Sequence, residues 1–418
     1  MRKFLLDTVL CSLFIFSLIG FFGSVTFFKV FELFDPIGEM FSDFELTDLV
    51  FSQLRDDPVA DDRIVIVNFG VIPREGIARQ IEILNKYNPK VIGLDATFFA
   101  EKPWVEDSAL VRVLSETDNI VVADYLQYDP ETDEALPPRR PPLHIMQDNH
   151  LGFVNLLTNA ESQEDLKMCR DFLTKQQVPD EMHYAFSVRL AMAADSAKTK
   201  KFLDRGNDIE VINYRGNVFK FVASQYGMKY FVLDVQDVFE ETFTEDLLRD
   251  KIVIMCHLGA FLGDTNTNED RYFTPLNKNY VGKAEHDMFG GVVHANIISM
   301  ILDEDYIDRM PTWMGVALAI IIVLINVFLF KIVYAAMPKW YDGITKVFQL
   351  IELAFFSFLM VWIFAHFNYK ADFTLTLIVI ALSGDSIEVY HGVVKNLFST
   401  EKRRGIFKVK RRFWTESD

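Results

Sequence analysis

RIVIVN (63–68), REGIARQIEILNKY (74–87) and KVIGLD (90–95) follow one another with only short spacers. The first and third are nearly continuous apolar runs rich in β-branched residues, and Ile77, Ile81 and Leu84 between them recur at helical spacing. Strands that lack alternation have both faces buried, as in a parallel sheet covered by helices. The three segments therefore predict strand, helix, strand, with the helix laying its apolar stripe on one face of the sheet. A second helix from Asp107 to Glu116 and a strand from Ile120 to Ala123 extend the parallel, right-handed pattern.

Beyond that core the signals become shorter. Residues 131–142 hold Pro137-Pro138 and Pro141-Pro142 around Arg139-Arg140. Successive prolines argue against both helix and sheet ladder, so this stretch is expected to be a loop or arm. A helix is expected from His183 to Ala194, a hairpin of Ile209 to Tyr214 with Val218 to Val222 around Arg215-Gly216-Asn217, and another buried strand from Lys251 to Cys256.

Outside this α/β region the chain turns apolar. Thr8 to Phe28 is 21 residues without a formal charge, and Thr312 to Phe330 gives 19 more behind Pro311. Each is long enough to cross a hydrocarbon core of about 30 Å. Val347 to Tyr369 and Phe373 to Val394 are also expected to span, although they carry Glu352, His366, Asp385, Glu388 and His391. No small-residue cleavage pattern closes the first run, which favours an uncleaved anchor over a signal peptide. Four segments follow: an anchor over 1–31, an external domain over 32–311, three helices over 312–394 and a basic tail over 395–418.

Basic residues set the expected orientation. Arg2 and Lys3 precede the first span, Lys331, Lys339 and Lys346 lie between the second and third, and eight basic residues fall between Lys395 and Arg412. Four spans with both termini in the cytoplasm place every cluster inside and the α/β domain outside, which in a bacterium means the periplasmic side of the inner membrane.

The composition agrees. The chain is 418 residues long, 50% hydrophobic, with a formal net charge of −17. Disorder and disulfide miniproteins are excluded. Residues 32–311 hold 27 basic and 50 acidic residues, a net of −23, which repels phosphate backbones and excludes nucleic acid as a partner. Of three cysteines, Cys11 lies in the first apolar run; Cys169 and Cys256 either pair, or Cys256 packs as a free thiol in its buried strand.

In order, IVIVNFG (64–70), VIGLDATFFAEKPWVED (91–107), GFVN (152–155), DKIVIMCHLGAFLGD (250–264), YFTPL (272–276) and FGGVVHANIISMIL (289–302) resemble the type-2 CHASE extracellular sensory domain. One helix before it and three after match that family's membrane arrangement. The resemblance implies an α/β sensory domain of bacterial receptors such as histidine kinases, adenylate cyclases and diguanylate cyclases. Two departures stand out: the family usually carries an acid where this chain has Asn68, and the loop before Thr274 is expanded by the polar run 264–270. Either Asp264 or Asp270 takes the place of the family's aspartate ahead of Thr274-Pro275. Only 24 residues follow Val394, too few for a kinase or cyclase, so the output is expected on a separate chain.

In an open α/β sheet ligands gather at the carboxyl ends of the strands. Asn68, Asp95, Asp124 and His257 occupy such ends, with Asp264, Asp270 and Arg271 on the neighbouring loop. These seven residues are the candidate ligand site, against the simpler reading in which Asp95 and Asn68 cap local backbone and the loop charges are solvated. The spacing of His257, Asp264, Asp270, His286, Asp287 and His294 matches no zinc or calcium pattern, and DTNTNED (264–270) lacks the glycine and final glutamate of an EF-hand. His294 is expected to lock its helix to the sheet. No catalytic triad, Walker loop or dinucleotide fingerprint is present, so no enzyme, metal or cofactor is expected. The polar residues inside the spans raise a transport reading, weaker than one of helix packing. The expected function is a sensory or adaptor subunit that binds a ligand or an envelope protein and relays it through its helices; the alternative is a structural subunit of a stable envelope complex. Membrane or periplasmic proteins and membrane lipids are the expected partners, the lipids through the tail, and a homo-oligomer stays open.

Overall fold

The computed structural model describes residues 2–24, 45–100, 102–132, 134–141, 151–158, 168–219, 227–264, 269–277, 286–390 and 392. It contains two compact units, one of Met1–Glu39 with Asp308–Asp418 and one of Met40–Ile307. Several expectations fall outside the described residues: the tail 395–418, residues 25–28 of the first span, Val222 of the hairpin, His391, and 265–268 of the polar run.

Helix α1 (Arg2–Ser24) belongs to the first unit. In the second unit β1 (Ile64–Asn68), α2 (Arg74–Asn85), β2 (Val91–Leu94), α3 (Trp104–Glu116) and β3 (Ile120–Tyr128) follow the expected alternation. β4 (Ala135–Arg139), β5 (Leu151–Phe153), β6 (Asp171–Leu173), β7 (Lys175–Gln177) and β8 (Met182–Tyr184) come next. Then come α4 (Phe186–Ala194), α5 (Ser196–Leu203), β9 (Ile209–Val211), β10 (Phe231–Leu233), α6 (Val235–Phe239) and β11 (Ile252–Cys256). The unit closes with β12 (Arg271–Tyr272), β13 (Met288–Phe289) and α7 (Gly290–Asp303).

The main sheet has the order β10-β1-β11-β2-β3-β4, with β5 also on β3. All neighbours run parallel except β4, which is antiparallel to β3. Thus β11 is inserted between β1 and β2, with Val65 opposite Val253 and Asn68 opposite Cys256. Alternation assigns the two faces. Val65, Val67, Ile92, Leu94 and Val122 meet Ile77, Ile81 and Leu84 of α2 and Leu110 of α3 in one core cluster. The opposite face receives α4 and α7. At Gly93 a side chain would meet Leu190 and Phe186 of α4 at 2.6 and 2.8 Å, so only hydrogen there lets α4 seat.

Three expectations are corrected. Ala135–Arg139 is a strand despite Pro137 and Pro138, because it is the outer partner of β3 and its register shifts between Tyr125 and Gln127 where the prolines fall. Among the described residues the hairpin is not formed: β9 pairs with β6, and Asn217 bridges Met228. His183 lies in β8, and the helix starts only at Phe186. Cys169 and Cys256 are not joined to each other, all three cysteines are buried, and burial pushes the Cys169 thiol up to about 12.

The first unit continues with β14 (Asp308–Arg309), α8 (Thr312–Ala336), α9 (Tyr341–Phe367), β15 (Tyr369–Lys370) and α10 (Thr374–Val389). Among the described residues three helices are long and apolar enough to cross a membrane, over Phe4–Phe21, Thr312–Ala336 and Tyr341–Phe367. α10 has 16 residues. Cys11 and Ile15 of α1 pack with Ala319 and Val323 of α8 and Val379 of α10. Three pairs of polar side chains stand out inside this unit. Lys331 Nζ lies 2.7 Å from Asp7, Asn326 donates to Glu352 at 2.8 Å, and Lys346 meets Asp385 at 2.6 Å. The first of these pairs had no counterpart in the sequence reading.

Candidate functional site

The carboxyl ends of β1, β2, β3, β5 and β11 converge on one cleft of about 590 Å³, lined at those ends by Phe69, Asp95, Tyr125, Val154 and His257. Glu269, Asp270, Tyr272 and the first turn of α7 supply another wall. This is the position expected of a ligand site in such a sheet, and the volume lies in the range of small-molecule pockets, about 300–1,000 Å³.

Asp95 directly follows β2, and its backbone N–H donates to the Met255 carbonyl at 2.8 Å, fixing it beside β11. Its carboxyl makes no hydrogen bond among the described residues. Asp270 reaches the same place from the other side. Its backbone is left-handed, with φ +56°, and its carbonyl accepts from the Gly290 N–H at 2.9 Å. A Cβ at Gly290 would lie 2.7 Å from the Asp270 carboxylate, and one at Gly291 would lie 2.4 Å from Cys256 Sγ and 3.4 Å from Asp95 Oδ2. Two successive glycines therefore let both carboxyl groups approach the start of α7, where unpaired N–H groups and the helix dipole favour negative charge. Burial, followed by the charge of Asp270, pushes the Asp95 carboxyl well above the usual carboxylate range.

His257 Nδ1 is 3.1 Å from the Gly70 carbonyl, and its ring lies 6.2 Å from that of Phe69. His294, one turn into α7, is 2% exposed and stands edge-on to Phe186 at 5.3 Å. Burial holds its imidazole down to about 3, so the ring is neutral at physiological pH. Its Nδ1 has no hydrogen-bond partner among the described residues. The Arg139 guanidinium lies 4.3 Å over the Phe99 ring at the cleft wall.

Of the seven candidates, Asp95, His257 and Asp270 meet in the cleft and the other four are placed elsewhere. Asn68 is fully buried; its amide donates to Asp234 at 2.9 Å and the Gly259 carbonyl at 3.2 Å, and its oxygen accepts from the Gly70 and Leu258 N–H groups at 3.0 and 2.9 Å. Asp124 is equally buried, 2.8 Å from His183 Nε2. Asp264 accepts from the Ala260 N–H at 3.2 Å, and Arg271 donates to the Asp264 carbonyl at 2.9 Å while lying 4.5 Å over Phe289. Asn68, Asp264 and Arg271 thus contact loop backbone, and Asp124 joins β3 to β8. Sequence reasoning missed Glu269, Tyr125, Arg139 and His294 as lining residues. Tyr125 lies beyond the expected end of its strand, and Arg139 lies in the stretch expected to be a loose arm. His294 carried a visible signal, a lone imidazole in an apolar helix, but was read as packing alone. Among the described residues no three His, Cys, Asp or Glu side chains are placed to hold a metal ion.

The family model of the CHASE2 domain matches residues 25–330. No curated protein and no solved structure matches the chain. The matched span is well over half of the sequence and contains every element of the cleft, so the chain belongs to the CHASE2 domain family, a family of sensory domains, here joined to apolar helices long enough for a membrane.

Proposed function

We propose that this protein is a membrane-anchored sensor whose cleft binds a small ligand and passes its occupancy along α7 to the membrane helices. One observation carries the reading: α7 begins in the cleft at Gly290 and ends at Asp303, and only residues 304–311 separate it from α8. A helix of 14 residues is a stiff rod about 21 Å long. A ligand that changes the charge balance at its first turn acts on an element joined covalently to a span.

The same reading takes α10 as the first part of a fourth span and places the α/β unit on the periplasmic side of a bacterial inner membrane, with both termini in the cytoplasm. The basic residues Arg2, Lys3, Lys331, Lys339 and Lys346 support that orientation. Membrane or envelope proteins receive the signal, and the basic tail rests on anionic lipid or on such a partner. The test is to identify proteins that co-purify from the native membrane with the wild-type chain and with Ala96→Trp, which fills the cleft. A partner whose recovery changes when the cleft is blocked supports sensing. A stoichiometric complex indifferent to the cleft refutes it and indicates a structural envelope subunit.

A further inference from the structure

The cleft has a chemistry that selects its occupant. Among the described residues the lining carries the carboxyl groups of Asp95, Glu269 and Asp270, the Arg139 guanidinium, and the imidazoles of His257 and His294, the last kept uncharged by burial. The walls are aromatic: Phe69, Phe99, Tyr125 and Tyr272. One of them already holds a cation, since Arg139 stacks on Phe99 at 4.3 Å. His294 adds an independent sign of a missing partner, being 98% buried with a ring nitrogen left without a hydrogen bond among the described residues. A bare metal ion fits poorly, because the cavity is far larger than an ion and among the described residues no three ligating side chains converge.

We propose that the cleft binds a small organic cation, whose ammonium or guanidinium group is received by the Asp95 and Asp270 carboxylates while its carbon skeleton lies against Phe69, Phe99 and Tyr272. This rests on the reading of the cleft as a ligand site. The neutral His294 ring can accept a hydrogen bond from such a group, as an imidazolium could not. Burial and then the charge of Asp270 raise the Asp95 carboxyl, and a positive charge beside it favours loss of its proton. Binding therefore releases that proton to solvent, in an amount of up to about one per ligand.

The experiment uses the purified full chain with Thr97→Cys, an exposed position in the cleft lining, as an occupancy reporter. Putrescine and agmatine are the cationic probes, succinate the anionic one and Mg²⁺ the inorganic cation. The amines should slow thiol labelling at residue 97 at least tenfold at saturation, and calorimetry in buffers of different ionisation enthalpy should show proton release. Asp95→Asn should weaken the amines at least tenfold and abolish the release, and Phe99→Leu should weaken them with the release intact. Protection by succinate alone, or by Mg²⁺ alone, overturns the organic-cation assignment and leaves the cleft as a ligand site. Protection by none of the four overturns both readings. Undiminished amine binding by Asp95→Asn overturns the proposed role of the two acids.

Discussion

Asn68→Ala tests whether this residue belongs to the fold or to the ligand. The substitution strands two buried N–H groups, those of Gly70 and Leu258, because the Asn68 oxygen is their acceptor. It also removes a donor from the Gly259 carbonyl and from Asp234, although Asp234 still accepts from Val235 and Leu262. Each stranded amide costs about 1–3 kcal/mol, and Asp234 adds less because it keeps the Val235 and Leu262 donors. The expected loss is about 3–4 kcal/mol, a large share of a total domain stability of about 5–15 kcal/mol. Cys256 lies opposite Asn68 in the sheet and is fully buried, so its thiol reports opening at this point. Peptide-resolved thiol labelling of the full chain should accelerate at Cys256 by roughly 100- to 1,000-fold, at about tenfold per 1.4 kcal/mol. Asn68→Asp sets a carboxylate against Asp234 and the Gly259 carbonyl; it should accelerate labelling at pH 7.5 and less at pH 5, where the new acid takes up a proton. An acceleration below about threefold for the alanine variant would show that the loops hold without this knot and that Asn68 is free to serve a ligand.

The pH dependence of stability should carry a signature of Asp287, whose carboxyl burial raises to about 7 against the hydrogen bonds of Thr274 and Asn277. A group raised in the folded state stabilises below its unfolded value and loses that contribution as pH rises through the folded value, here from about 4 to about 7. Asp287→Asn should therefore gain on the wild type across that window by a few kcal/mol, on the order of 4; a constant difference in urea titrations at pH 4, 5.5 and 7.5 would refute this. Lys331→Met leaves Asp7 without the cation 2.7 Å away and should loosen α1 from α8 by about 3 kcal/mol. Oxidative cross-linking of Cys11 to an Ala319→Cys partner should fall and recover in part with Asp7→Asn added; unchanged cross-linking would show that apolar packing alone seats α1. For topology, a cysteine at Lys339, exposed between α8 and α9, should resist an impermeant thiol reagent in intact cells while one at exposed Ser196 reacts; labelling at 339 would reverse the orientation.

The part of this fold legible in the sequence is the part set by continuous apolar runs. β1, α2, β2 and β11 were readable because burial on both faces leaves no polar residue inside a strand, and Ile77, Ile81 and Leu84 keep helical spacing. β4 was hidden because proline propensity argues against strand, and only its outer position and shifted register make it one. For the cleft, the strand ends named the neighbourhood but not the members. That Asp95 and Asp270 meet while Asn68 turns away to Asp234 depends on β11 lying between β1 and β2, a long-range choice with no local mark. The helix pairing through Lys331 and Asp7 was invisible for the same reason, since 324 residues separate the partners.

Pro137 and Pro138 in β4 have a further consequence. An unpaired strand border presents a row of N–H and C=O groups onto which another chain can add a strand. Along the second half of β3 that border is β4, and two adjacent prolines there offer no amide hydrogen to an incoming neighbour. On the far side the sheet ends in β10, three residues long. Among the described residues neither of these two margins is a good template for a strand from another copy. Compared with these two margins, side-chain surfaces, where charge and shape discriminate between partners, are the better ground for self-association.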